Sequence, residues 1–110
     1  MPLLALGTAE ALWRDPDGAN QRIRLDEVRR RLEAGAGPLL CFRPAIQRRL
    51  GLKTVPAFDI LELFAFVRPA RFCLPTIRGV AEALSLPSPR GLEAEADALQ
   101  LSVQAPGLSE

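Results

Sequence analysis

Three acidic residues, Glu10, Asp59 and Glu62, are of a type that could pair to hold two metal ions, as phosphoryl-transfer nucleases do. That chemistry requires the carboxylates to project from strands and helix ends into one pocket. Asp59 and Glu62 have a simpler explanation. They stand three residues apart at the head of an apolar run, which is capping-box spacing with Asp in place of Ser or Thr. The chain has no histidine. This removes Ser-His-Asp and Cys-His catalysis, histidine metal ligation and the commonest general base.

Two glycine motifs resemble phosphate-binding loops and fail on spacing. Gly51-Leu52-Lys53-Thr54 places Leu52 where a P-loop needs Gly directly before Lys, and the lysine follows a predicted helix instead of opening one. It reads as a helix C-cap followed by a surface lysine. Gly35-Ala36-Gly37 would need its third glycine at Leu40 and precedes a strand, so it reads as a turn. Cys41 and Cys73 form no CxxC pair and sit beside apolar residues, so both read as small buried hydrophobes. No catalytic residue, metal ligand or cofactor is assigned to this chain.

The remaining candidates are basic. Arg29, Arg30, Arg43, Arg48, Arg49 and Lys53 form the candidate nucleic-acid-binding set. Successive helical residues are about 100° apart, so Arg29, Arg30 and Arg31 cannot share one face. A solvated helix face is the plainer reading of the set. Phosphate contact through it would be weak, salt-sensitive and indifferent to sequence.

Short elements must position these residues. Asp15-Pro16-Asp17-Gly18 is a turn signal, and Gln21-Arg22-Ile23-Arg24-Leu25 alternates polar and apolar, so residues 3–25 are predicted to form β-structure with at least one hairpin. Residues 26–34 read as a helix with Leu25, Val28 and Leu32 on its inner face. Leu39-Leu40-Cys41-Phe42 reads as a buried strand. Arg43 and Pro44 open a short helix that Gly51 closes. Residues 59–67 are apolar almost all round, which predicts a helix buried on most sides and a core centred on 58–67. Thr76 caps a further helix with the stripe Ile77, Val80, Ala81 and Leu84. Residues 92–101 are predicted helical, with a frayed end beyond.

The chain has 110 residues, 48% hydrophobic and 25% charged, enough for one domain with a modest core. Net charge is +1, so the molecule as a whole is no generic polyanion binder. Residues 1–90 hold all 14 Lys and Arg against nine acids; residues 91–110 hold four acids and no base. The first residues lack a basic signal-peptide region and are too short to span a bilayer, which predicts no membrane partner and a cytoplasmic location.

Residues 39–50, Leu-Leu-Cys-Phe-Arg-Pro-Ala-Ile-Gln-Arg-Arg-Leu, resemble the second motif of proofreading-type 3′–5′ exonucleases, where a strand ends at an Asn and the helix after it carries a catalytic Asp. Phe58-Asp59-Ile60-Leu61-Glu62-Leu63 is similar to the family's segment that opens with Asp-Thr. Thr76 to Leu86 resembles its LxxLAxxLGL helix. One branch fits best: residues 58–72, followed by Pro75-Thr76, resemble the N-terminal region of bacterial ATP-dependent DNA helicases of the DinG type, in which a degenerate exonuclease-like region precedes the motor.

The resemblance implies an α/β fold. It would be a small partial ribonuclease-H/exonuclease-like module with an N-terminal β-hairpin, a short buried strand and three to five helices. Residues 1–90 would form the module and 91–110 a linker or tail helix. The family's Asp-x-Glu pair has no counterpart in Leu4-Ala5-Leu6-Gly7-Thr8-Ala9-Glu10, and Phe42 and Ile46 fall where the second motif's Asn and Asp belong. The sequence also has no Walker A motif, DEAH-type box or four-cysteine cluster. The chain is therefore expected to be non-enzymatic on its own and a fragment of a longer protein. It would be an accessory module whose partners are a helicase motor and, through the basic patch, DNA. The rival readings are a stand-alone weak nucleic-acid or protein-binding module and a residual metal-dependent 3′–5′ exonuclease using Glu10, Asp59 and Glu62.

Overall fold

The computed structural model describes residues 1–67 and 73–104. The Asp15–Gly18 turn behaves as its composition requires. Gly18 takes φ +96°, and its N–H donates to the Asp15 carbonyl at 2.8 Å. The turn joins strand β2 (Glu10–Arg14) to β3 (Asn20–Arg24), and β1 (Leu3–Leu6) pairs antiparallel along the other side of β2. Residues 3–24 thus hold two hairpins.

Helix α1 (Leu25–Glu33) follows β3 directly and leads to β4 (Leu39–Leu40), which lies parallel to β1. Helix α2 (Arg43–Leu50) ends on Gly51, left-handed at φ +67° as a C-cap glycine should be, and the chain returns as β5 (Phe58–Asp59), parallel to β4. Helices α3 (Ile60–Val67), α4 (Ile77–Ala83) and α5 (Leu92–Gln104) complete the described chain. Thr76 caps α4 as its position predicts, its Oγ1 accepting the Gly79 N–H at 2.9 Å. The strands form one mixed sheet in the order β3-β2-β1-β4-β5. The described residues therefore form a small α/β module with an N-terminal hairpin, a short buried strand and five helices.

The sheet is covered on both faces. Consecutive strand residues point to opposite sides, so Leu4 and Leu40 join Trp13, Val28, Leu32 and Ile46 under α1 and α2, while Leu3 and Leu39 join Ile60, Phe64, Val80 and Leu99 under α3, α4 and α5. This two-sided arrangement corrects the expectation of a core centred on residues 58–67. Helix α3 buries Ile60 and Phe64, yet Phe66 is 87% exposed. The reason is topological: α3 follows the edge strand β5, and among the described residues no further strand lies beyond it.

A second correction concerns the C-terminal helix. Residues 92–104 are not a loose tail. Ala96, Ala98, Leu99 and Ser102 are buried, and Ala96 packs with Ala5 and Leu12. Small side chains let α5 lie close to the sheet, where they read in the sequence as a weak stripe. Arg14 ties α5 to β2 through Asp97 at 2.8 Å and Gln100 at 3.0 Å. The frayed end expected beyond Gln104 lies outside the described residues. Among the described residues no helix is long and apolar enough to cross a membrane.

Candidate functional site

In open α/β sheets, ligands bind in the crevice beyond the carboxyl ends of parallel strands. Here β1 and β4 end at Leu6 and Leu40, and a cavity of about 200 Å³ opens there, lined by Leu6, Cys41, Ile46, Arg49, Thr76 and Glu95 among others.

The residues at these strand ends are small or apolar. Ala5 is fully buried against Leu12 and Ala96. At Gly7, a Cβ would meet the Glu10 carbonyl oxygen at 2.7 Å and the Leu92 side chain at 3.2 Å, so no carboxylate side chain fits without backbone movement. Ile46 is buried in the core beneath α2. Phe42 is left-handed, at φ +65°, and serves as the N-cap residue of α2 without a capping side chain.

Asp59 supplies the missing cap from β5. Its Oδ2 accepts the Arg43 N–H at 2.8 Å, and its Oδ1 accepts the N–H groups of Phe42 at 2.9 Å and Leu61 at 3.0 Å. A left-handed residue followed by a helical one turns two successive N–H groups toward the same point, forming a small anion nest. The buried Asp59 carboxylate fills that nest and caps α3 as well. The strain of a non-glycine residue at positive φ, about 1–3 kcal/mol, is offset by these charge-assisted bonds. Asp59 thus explains the capping half of the spacing seen in the sequence. Glu62 does not close the box: it pairs with Arg43 at 3.1 and 3.3 Å.

Glu10 lies elsewhere. It pairs with Arg22 at 2.9 Å on β2, three strand spacings from Asp59, or about 14 Å. The three carboxylates do not share a pocket. Among the described residues, no three His, Cys, Asp or Glu side chains are grouped to hold a metal ion.

Burial raises the pKa of both the thiol and the carboxyl that line the crevice. Burial pushes the Cys41 thiol from 9.0 up to about 12, reinforced by the negative charge of Asp59 and by Cys73 and Glu95. Such a thiol is the opposite of a reactive thiolate. Burial also raises the Glu95 carboxyl, opposed by Arg78. Cys73 is raised by burial as well. Both cysteines pack against the apolar cluster as expected of small hydrophobes, although each is only half-buried.

The basic set divides. Arg29 reaches from α1 to the end of α2, with Nη1 3.9 Å from the position a Cβ would take on Gly51, and its Nε lies 3.6 Å from Glu33. Arg29 and Lys53 line a cavity of about 640 Å³ between the two helix ends. Arg48 and Arg49 occupy the last turn of α2; Arg49 donates to the Thr8 carbonyl at 3.0 Å, and Arg48 is exposed without an acidic partner among the described residues. Arg30 is engaged on its own helix by Glu27 at 2.8 Å. Arg43 sits at the other end of α2, held by Glu62 and by the Ala57 carbonyl at 2.7 Å, with its buried Nε unpartnered. The structure therefore gathers Arg29, Arg48, Arg49 and Lys53 around one helix end and leaves Arg30 and Arg43 apart. Arg31 lies 5.0 Å from the centroid of the Trp13 ring. No sequence signal marks that pair, because the contact joins α1 to β2 across the β2–β3 hairpin.

Comparisons with family models, with curated proteins and with solved structures found no match for this chain.

Proposed function

We propose that this chain is a non-catalytic accessory module of a DinG-type ATP-dependent DNA helicase, an exonuclease-shaped unit that works by docking on a motor rather than by cutting. The observation that carries the reading is that Glu10, Asp59 and Glu62 do not converge on the crevice. At the carboxyl ends of the parallel strands, the run Leu4–Glu10 offers no Asp-x-Glu pair, Phe42 and Ile46 fall where the second motif's Asn and Asp belong, and α5 closes over Ala5 and Gly7. The strand order β3-β2-β1-β4-β5, with β4 and β5 parallel to β1, is the order used by ribonuclease-H/exonuclease-like modules and supports the same reading. The helicase context rests on the resembling run from Phe58 to Leu86, which covers β5, α3 and α4.

Exposed apolar side chains support docking. Phe66 on α3 is 87% exposed, and Phe58 and Leu74, outside α3, are 59% and 54% exposed. Exposed aromatic side chains of this size serve as anchors in protein interfaces. The test is to mix the purified chain with a separately prepared DinG-type motor and follow association by sedimentation. The reading expects a complex that Phe66→Glu weakens at least about tenfold, with the thermal melt of the free chain unchanged. A folded chain that ignores the motor at about 100 μM, or that turns over ATP by itself, would overturn it.

A further inference from the structure

The charge of this chain is divided along its sequence. Residues 20–56, which form β3, α1, β4 and α2, contain nine bases and three acids, a net +6; the rest of the chain contains five bases and ten acids, a net −5. Helix dipoles cannot account for this. The helix ends contribute about half a charge each, with opposite signs at the two ends, so over the whole layer they cancel. Part of the charge is spent within the layer, since Arg30 and Arg31 pair with Glu27. Four cations remain at the C-terminal end of α2. Arg29, Arg48, Arg49 and Lys53 face only Glu33 on α1, while Glu95 of α5 lines the crevice on the Arg49 side.

A second observation says what such a face fits. The large apolar side chains exposed among the described residues are Met1, Phe58, Phe66, Leu74 and Leu101. None of them falls between residues 20 and 56. A protein partner binds through apolar and aromatic anchors, and lysine is depleted at interface cores. A single-stranded nucleic acid wants aromatic platforms for its bases. A phosphodiester backbone needs neither, only cations that can exchange with its counterions.

We infer that the α1–α2 face, through Arg29 and Lys53 at the 640 Å³ cavity and Arg48 and Arg49 on the last turn of α2, contacts the phosphate backbone of duplex DNA without reading its sequence. The inference rests on the accessory-module reading for its choice of nucleic acid, and it adds the surface, the strandedness and the residues. Arg43 and Arg30 do not belong to the contact, because Glu62 and Glu27 already hold them.

The experiment is fluorescence anisotropy of a labelled 20-base-pair duplex and of the matching single strand, titrated with the intact chain at several salt concentrations. Four phosphate contacts give a slope of log K against log salt near −3.6, roughly a 150-fold loss of affinity from about 50 to about 200 mM salt. Arg48→Gln and Lys53→Gln, both at exposed positions, should each weaken binding equally for unrelated sequences and reduce the slope by about one. Arg90→Gln, on the acidic side of the molecule, should change neither. Preference for the single strand, equal displacement of the duplex by polyglutamate, unchanged slopes in the two variants, or no duplex binding at low salt would each overturn the inference. None of these outcomes bears on motor association, so the two proposals fail separately.

Discussion

On one face of the sheet, α1 and α2 seal Leu4, Trp13, Leu40 and Ile46 and leave no large apolar side chain exposed between residues 20 and 56. On the other, α3 buries Ile60 and Phe64 but holds Phe66 in solvent two residues later. Both layers follow the same amphipathic logic. They differ in position: α1 and α2 each cross back over the sheet between strands, whereas α3 leaves the edge strand β5 and, among the described residues, leads to no further strand. Apolar content alone therefore does not decide burial; the strand that precedes a helix decides how much of it can be covered. The basic layer is sealed and polar outside, and the acidic layer is incomplete and apolar at its rim.

The largest effect should come from the residue that joins the two layers. Asp59 accepts three backbone N–H groups, two at the start of α2 and one in α3. Asp59→Ala leaves those donors without their acceptor and is expected to cost about 4 kcal/mol in urea unfolding. A cost under about 1 kcal/mol would show that the layers do not depend on this link.

Next in size is the contrast within α3. Phe64→Ala should cost about 3 kcal/mol or more, and Phe66→Ala less than about 0.5 kcal/mol. Equal costs would mean that the outer side of α3 is covered in solution and that the two layers are more alike than described.

A pH experiment sharpens the comparison at the crevice. The Cys41 thiol titrates near 12 in the folded chain against an ordinary value of 9.0. The unfolded chain therefore loses its proton first as pH rises. The stability contributed by the buried neutral thiol is intact below pH 9 and declines from about pH 9 to about pH 12, at about 1.4 kcal/mol per unit inside that window. Cys41→Ala should remove that part of the slope. A variant with the same alkaline profile as the parent would place the thiol in water.

The smallest effect is expected on the basic side. Arg31 lies over Trp13 and pairs with Glu27 at 3.0 Å. Arg31→Ala should cost about 1 kcal/mol, with a matching change in Trp13 fluorescence; an unaltered spectrum would contradict the stacked geometry.

The sequence makes legible whatever is local. The Asp15–Gly18 turn, the Thr76 cap and the Gly51 terminus each follow from residues within four positions of one another. The elements that were not legible depend on distant partners. Strand β5 has two residues, too few to show a period, and it exists because β4 offers it an edge: the Phe58 N–H donates to the Pro38 carbonyl at 2.9 Å. The link from Asp59 to Phe42 spans 17 positions and passes through a left-handed phenylalanine that no propensity suggests. Helix α5 was recognisable as a helix but not as part of the core, because alanine gives little hydrophobic signal. Of the basic set, the sequence supplied the members; the fold alone separates Arg43, at one end of α2, from Arg48 and Arg49 at the other.

The non-catalytic reading turns on carboxylates that do not converge on the crevice, and one measurement addresses it directly. The intact chain is incubated with a 3′-labelled oligonucleotide, single-stranded and duplex, in the presence of magnesium or manganese, and nucleotide release is followed over hours. The account predicts no release above a protein-free control with either metal. Metal-dependent release that Asp59→Asn or Glu10→Gln abolishes, in variants that melt like the parent chain, would contradict it and restore the nuclease reading.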